Sequence, residues 1–424
     1  MFNVTTRILS AAAAWIAAVA VSFGALHAQS TLLEARREFQ TKPAGNQGET
    51  EPLGEPIAPF RKIEYPTPLG DMSAWIGNPD SMPKTGKPAG MIWVTGGFPP
   101  GGIDGAAWVP LSHEQDPSAK QYRLAGMVVM YPTFRGANGN PGRQESFLGE
   151  VDDLLAARDY LAKSGLVDPS RIYLGGHSTG GTLVLLAAAS SDAFRAVISF
   201  GPVEDPVAYG GSRLAFDVTD EAESRLRAPI HWLDQIKSPT FVIEGDQGNL
   251  SNLETLRDAS KNPRIQFVTI EGANHMNLLQ PLQRVIARDF AAADGRAALD
   301  LNAADLQRAF DAQRRAIFEG SILEDVAHAR GDGAELGEEC ECLFYLRCGE
   351  SSNLDAAVEA AQKAGFQLFD RSELEGRRGR SEYQARLRRR AVLTPSAELF
   401  ALVESVQKCA VEHEVEYLGF RVLH

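Results

Sequence analysis

"RIYLGGHSTGGTLVLLAAA", residues 171–189, joins a short apolar run to a knot of glycines and then to an Ala- and Leu-rich stretch of helical character. Inside it, Gly176-His177-Ser178-Thr179-Gly180 is a G-x-S-x-G sequence between a predicted strand and a predicted helix, the context a nucleophilic serine on a sharp turn requires. Such a serine takes a strained backbone conformation, and small residues on either side let the chain pass without collision. The following helix points its positive end at the turn, and the Thr179 amide can donate to an oxyanion forming on a carbonyl carbon. A phosphate-binding glycine turn is the rival reading. The stretch has no G-x-x-x-x-G-K-[ST], and its glycines miss the G-x-G-x-x-G frame, so Ser178 is read as a nucleophile.

Around this core the chain alternates. Apolar runs at "AGMIWVTGG", "LAGMVVMYP", "RIYLGGHS", "RAVISFGP", "PTFVIEGDQG" and "RIQFVTIEGANH" are separated by helix-like stretches near 150–164, 178–190, 251–260 and 279–292. Several runs are apolar on both faces, as expected of a mostly parallel sheet covered by helices, so the fold class is α/β. "FRKIEYPTPLG" and "DMSAWIGNP" precede them as a hairpin. Residues 203–238, rich in Pro, Gly and mixed charge, read as an insertion that either covers a site at the sheet edge or forms a plain surface excursion.

An activated serine needs a base held by an acid. Of the eight histidines, His27 lies in the leader, His177 inside the turn, His231 in the insertion, and His328, His413 and His424 beyond the α/β region. His113 precedes the serine and begins no H-E-x-x-H helix. His275, in "VTIEGANHMNLLQP", directly follows a strand and comes late enough to complete a serine, acid, histidine order. The acid belongs on the loop after "TFVIEG", where Asp246 is the natural carboxylate, with Glu244 or Glu254 as replacements. A second oxyanion donor is expected from "MIWVTGGFPPGG", at Gly97 or Phe98, alongside Thr179. No metal or organic cofactor is expected.

The stretches "TGGFPPGG", "YPTFRGANGNPG", "GEVDDLLAARDYLAKSGLVDPSRIYLGGHSTGG" and "GANH" resemble the prolyl-oligopeptidase and dienelactone-hydrolase-like branch of the α/β hydrolases over about residues 60–292. The resemblance implies Ser178 as nucleophile, His275 as general base and acid, and an acidic partner placed at Asp246. In many such enzymes that aspartate comes three residues after the glycine ending the strand, a place occupied here by Gly248. Thr95 stands where members often carry a histidine or tyrosine. No β-propeller precedes the α/β region, so a restriction to short peptides is not implied.

From about residue 340 the chain starts afresh: "CLFYLRC", a helix "NLDAAVEAAQKAG", "FQLFD", a helix "SAELFALVESVQKCAVEH" and "VEYLGFRV" read as a small α+β domain. It is similar to the regulator of ribonuclease activity B family, which implies a ferredoxin-like fold. Its activity, binding a cytoplasmic ribonuclease, does not suit an exported chain. "RSELEGRRGRSEYQARLRRR" holds eight arginines against three glutamates, and reads as a solvated loop and helix face rather than a nucleic-acid or lipid site. Cys340, Cys342, Cys348 and Cys409 suggest two disulfides in an oxidising compartment, with zinc as the rival.

The first 28 residues have an early cation at Arg7, an Ala/Val-rich run and a small residue at Ala28, the layout of an export signal; an uncleaved anchor is the alternative. The chain is expected to be periplasmic or secreted. The expected organisation is a signal peptide over 1–28, a flexible arm over 29–59, an α/β-hydrolase domain over 60–320, a linker over 321–339 and the small domain over 340–424. With 424 residues, 44% apolar and 23% charged, the chain is globular, and a formal charge of −13 argues against a nucleic-acid partner. The function expected is hydrolysis of an ester or peptide bond, with a protein partner for the small domain. An exported binding protein built on a silent hydrolase scaffold is the alternative, and a cytoplasmic regulator of RNA turnover is a third reading.

Overall fold

A computed structural model describes residues 30–44, 51–56, 58–83, 85–98, 118–294, 299–331, 337, 339–375, 381–392 and 394–423. The expected leader and His113 lie outside them. The chain divides into two units, Met1–Phe310 and Asp311–His424.

The first unit is built on an eight-stranded sheet. Strands β1 (Phe60–Thr67) and β2 (Gly70–Gly77) form the expected hairpin, pairing Thr67 with Gly70, and β2 runs antiparallel to β4 (Val128–Pro132). From there β4, β3 (Gly90–Val94), β5 (Ile172–His177), β6 (Val197–Phe200), β7 (Thr240–Gly245) and β8 (Ile265–Ile270) are parallel neighbours in that order. Each apolar run named above supplies one of them, and the topology is the α/β-hydrolase fold.

Alternation along the strands explains their two-sided apolarity. On β5, Ile172 and Leu174 enter a core that includes Leu183, Leu186 and Val242, whereas Tyr173 enters one that includes Ile198, Phe241, Leu282 and Phe290. Helices therefore cover both faces: α3 (Glu150–Lys163) and α4 (Thr179–Ser190) contribute to the first core, α7 (Leu279–Ala292) to the second. Helix α2 (Lys120–Leu124) packs against α7, and helix α6 (Leu250–Ala259) against β7 and β8. Residues 303–310 close this unit, with Leu306 and Phe310 buried.

The expectation of a loose arm is corrected, and the insertion, read as a site cover or a surface excursion, is found packed onto the core. Within the arm, Leu32–Glu38 is a helix, α1, capped by a reciprocal Thr31–Glu34 box, and its Leu32 and Arg36 are buried. Leu32 N donates to Gln235, and Arg36 to the Leu148 carbonyl and Asp152. Apolar burial and charge pairing thus order a segment whose composition reads as disordered. The insertion is likewise packed down: Phe216, Leu226, Trp232 and Leu233 join the core, and its helix α5 (Glu221–Arg227) buries an Arg227–Glu223 pair.

In the second unit, the expected linker is helical as far as residue 331, as part of α8 (Ala303–Gly331), because Ile322, Val326 and Ala329 are core residues there. An all-antiparallel sheet follows in the order β10-β11-β9-β12, from β9 (Glu339–Cys348), β10 (Gln367–Glu375), β11 (Ser381–Val392) and β12 (Glu416–Leu423), with α9 (Ser351–Lys363) and α10 (Ala397–Glu412). The arginine run is corrected from loop and helix to strand: much of it forms β11. Arg386, Arg388 and Arg390 pair with Asp370, Glu341 and Glu339 on neighbouring strands, so cross-strand ion pairs offset its charge. The expected disulfides are absent: all four cysteines are free, and the Cys340 and Cys342 sulfurs lie 4.0 Å apart on one strand. Among the described residues no helix is long and apolar enough to cross a membrane.

Candidate active site

Strand β5 ends at His177 and α4 begins at Thr179, leaving Ser178 alone at the corner with φ 57° and ψ −119°. A positive φ is a strained conformation for a residue with a side chain, and it lifts the hydroxyl out of the strand-to-helix turn. The backbone is pinned there: Ser178 N donates to the Phe200 carbonyl at 2.8 Å, and Thr182 N donates to the Ser178 carbonyl at 3.0 Å. Glycine at 176 is required by packing, since a Cβ there would stand 2.5 Å from the Gly180 carbonyl oxygen. A Cβ at Gly180 would collide with the Val94 carbonyl.

His275 sits in the loop between β8 and α7, and its Nδ1 is 2.7 Å from Glu244 Oε2. Asn249 Nδ2 lies 3.4 Å from the same ring nitrogen. Glu244 is fully buried at the end of β7, and its Oε1 accepts from the Gly245 amide at 2.7 Å. The expected assignment of Asp246 is therefore corrected in its geometry. Asp246 Oδ1 instead accepts from the Gly272 amide at 2.9 Å, while Glu254 pairs with Arg257 on α6. Gly248 explains the exchange, because a Cβ there would fall 2.5 Å from Glu244 Oε1 and 2.8 Å from its carboxyl carbon. The space that an aspartate at that position would fill is taken by a longer side chain reaching in from the strand. Gly201, at φ 57°, leaves room on another side, where a Cβ would come within 2.5 Å of His275 Nδ1.

The remaining groups come from other loops. Gly97, at φ 102°, and Phe98 follow β3, and Thr179 Oγ1 donates to the Gly97 carbonyl at 2.7 Å, tying that loop to the first turn of α4. Phe98 meets Tyr209 of the insertion edge-on at 5.4 Å, and Phe147 stacks on the Tyr209 ring at 5.9 Å. Phe147 and its neighbour Ser146 both have positive φ, 74° and 48°, so strained backbone holds that ring in place. The Tyr209 hydroxyl lies 2.9 Å from Thr182 Oγ1, and burial raises its pKa far above the phenol value. The insertion thus reaches the first turns of α4.

His177, passed over in the sequence as part of the turn, is buried beside His275. Its Nε2 is 2.9 Å from the His275 carbonyl oxygen, and the two rings are 4.4 Å apart at 39°. Burial first, then the neighbouring His275, push its pKa down to about 3. The structure brings Ser178, Thr179 and Gly97 to one end of the parallel strands, and sets Glu244 rather than Asp246 against His275. Tyr209 and Phe147 carried no local signal, since both reach the site through tertiary packing. Among the described residues no cluster of His, Cys, Asp and Glu has the arrangement of a metal site.

Residues 115–283 match the family model described as the prolyl oligopeptidase family, and residues 324–422 match that of the regulator of ribonuclease activity B. Among solved structures the chain is similar to an acylaminoacyl peptidase of Pyrococcus horikoshii, at 17% identity, covering 58% of this chain and 44% of that one with a TM-score of 0.46. A puromycin-hydrolyzing peptidase of Mycobacterium tuberculosis aligns at 20% identity, covering 57% and 41%, with a TM-score of 0.45. A 2,6-dihydroxy-pseudo-oxynicotine hydrolase aligns at 19% identity, covering 57% and 71%, with a TM-score of 0.44. The chain spans less than half the length of the two peptidases.

Proposed function

We propose that this serine hydrolase, with a prolyl oligopeptidase family domain over residues 115–283 and a regulator of ribonuclease activity B domain over 324–422, cleaves an ester or peptide bond through acylation of Ser178. The observation that carries the reading is a strained serine between strand and helix in one domain with a His275 Nδ1–Glu244 Oε2 contact of 2.7 Å. With Nδ1 committed to the carboxylate, His275 Nε2 is the nitrogen left to take the Ser178 proton. Ser178 Oγ then bonds to the substrate carbonyl carbon, and the oxygen that gains charge is held by the Thr179 amide and by an amide of the Gly97–Phe98 segment. When the tetrahedral adduct collapses, the leaving alcohol or amine takes the proton from Nε2. Water repeats the sequence on the acyl-enzyme, losing its proton to His275 and returning Ser178 to its hydroxyl form. Glu244 holds the ring tautomer and offsets the transient imidazolium charge.

Phe98 and Tyr209, the latter backed by the fully buried Phe147, give the site an aromatic wall suited to an apolar group of the substrate. The regulator-like domain is assigned a protein partner, and the first 28 residues an export role, which cell fractionation checks. Treatment with a fluorophosphonate at neutral pH, beside Ser178→Ala, tests the central reading. Label on Ser178 that vanishes in the variant is expected, and justifies screening acyl esters and peptides; folded protein that takes no label on Ser178 overturns it.

A further inference from the structure

We infer that His177, the residue before the nucleophile, is a positioning residue that holds the His275 loop in register with Ser178 through the His275 main chain. The inference rests on the reading of Ser178 and His275 as nucleophile and base. Ahead of His275, the Ala273 carbonyl is tied to the β7 side by the Gln247 amide. From there to α7 the turn is held by bonds within itself: Asn274 N donates to Asn277, and Met276 N and Asn277 N donate to Asn274. Those inner bonds shape the turn but do not attach it to the sheet. Glu244 fixes the ring of His275 and leaves its main chain to another partner.

That partner comes from β5. A carbonyl oxygen only accepts, so the 2.9 Å contact with the His275 carbonyl assigns the proton to His177 Nε2 and leaves Nδ1 bare. His177 is itself immovable: it is 5% exposed, in register with Phe200 on the neighbouring strand, and next in the chain to the strained Ser178. Nucleophile and donor therefore share one rigid corner, and the base is hung from that corner by a hydrogen bond from the His177 side chain to the His275 carbonyl. The flat ring adds a second constraint, packing 4.4 Å from the His275 ring and blocking its rotation on that side.

A second imidazole beside a catalytic one brings a hazard, since protonation of His177 would set two like charges face to face. Burial away from water keeps it neutral through the range in which a serine hydrolase works. The same neutrality is what lets Nε2 be a dedicated donor rather than a competitor for the proton of Ser178.

Three variants test the assignment. Glutamine places an amide nitrogen the same number of bonds from Cβ as Nε2, so His177→Gln keeps the donor. Asparagine is one bond too short, and His177→Phe keeps the ring without the donor. Steady-state kinetics on any ester turned over by wild type, with the rate of fluorophosphonate labelling of Ser178, should place His177→Gln within about threefold of wild type. The Asn and Phe variants should lose about tenfold to a hundredfold in kcat and in labelling rate, with KM nearly unchanged, as for a base displaced by a fraction of an ångström. Should the Phe variant not fold, the Gln and Asn pair carries the comparison alone. Equal losses in Gln and Asn, or a rise in KM with kcat held, overturn the inference. Wild type that Ser178→Ala leaves unchanged in activity and labelling overturns instead the reading of the active site, a distinguishable failure.

Discussion

The position of the acid can be moved by mutation, and the structure says where. Glu244 is fully buried and Oε2 lies 2.7 Å from His275 Nδ1. A unit charge about 4 Å from the imidazolium centre, at an effective dielectric near 20, is worth roughly 4 kcal/mol. Losing it should raise the barrier enough to lower kcat about a thousandfold. Glu244→Gln is expected to show that loss, whereas Asp246→Asn, which keeps an acceptor oxygen for the Gly272 amide and removes a charge that does not contact His275, should leave kcat within about twofold because it does not alter the tautomer of His275. Gly248→Asp alone should also damage the enzyme, since its Cβ would sit 2.5 Å from Glu244 Oε1 and force two carboxylates together. Combined with Glu244→Ala, the same Gly248→Asp substitution is freed of both Glu244 contacts and keeps only a 3.0 Å approach of its Cβ to His275 N. Gly248 has no positive φ to oppose a side chain, so Glu244→Ala/Gly248→Asp should recover kcat to within roughly tenfold of wild type. The assay is kcat and KM for wild type and each variant on one ester, with circular dichroism to confirm folding. A folded Glu244→Gln with wild-type kcat, or a folded double variant no better than Glu244→Ala, would refute the reasoning.

Two further outcomes concern stability. His177 is buried with a pKa of about 3 against an unfolded value near 6.5, so between those values the unfolded chain binds a proton that the folded one does not, and stability rises with pH there and is lost as pH falls. From pH 8 to pH 5 this costs about 2 kcal/mol, and the loss should be missing from His177→Gln when urea unfolding of the two is compared across that range. Glu150 and Asp153, raised mainly by burial, act in the opposite direction, but equally in both proteins. Arg227 and Glu223 form a fully buried pair, with Arg227 also bonded to the Glu145 carbonyl and Thr41. Arg227→Ala leaves the buried Glu223 carboxylate without its cation, with Thr41 Oγ1 and Lys42 N still donating to it, and should cost about 3–5 kcal/mol, a drop of roughly 10 °C or more in the first unit's melting temperature by calorimetry. An unchanged melting temperature would show that the pair does not hold the insertion down.

What sequence alone determined about this protein was local. The strand-to-helix turn around Ser178 is written in consecutive residues, because the sharp corner needs glycine where a Cβ has no room, as at 176 and 180. The parallel sheet was legible because strands buried on both faces must be apolar throughout. Tertiary structure decided what depended on contacts distant in the chain. Asp246 looked better placed than Glu244, but residues 244 and 245 end a strand, and alternation there sends Glu244 toward a histidine 31 residues away. The arm reads as disordered until Leu32, Arg36 and Thr41 meet partners more than a hundred residues on. The arginines of β11 read as solvated until carboxylates on neighbouring strands face them. In each case the deciding term is burial or charge pairing between segments far apart in sequence, and such energies belong to pairs that only the folded chain brings together.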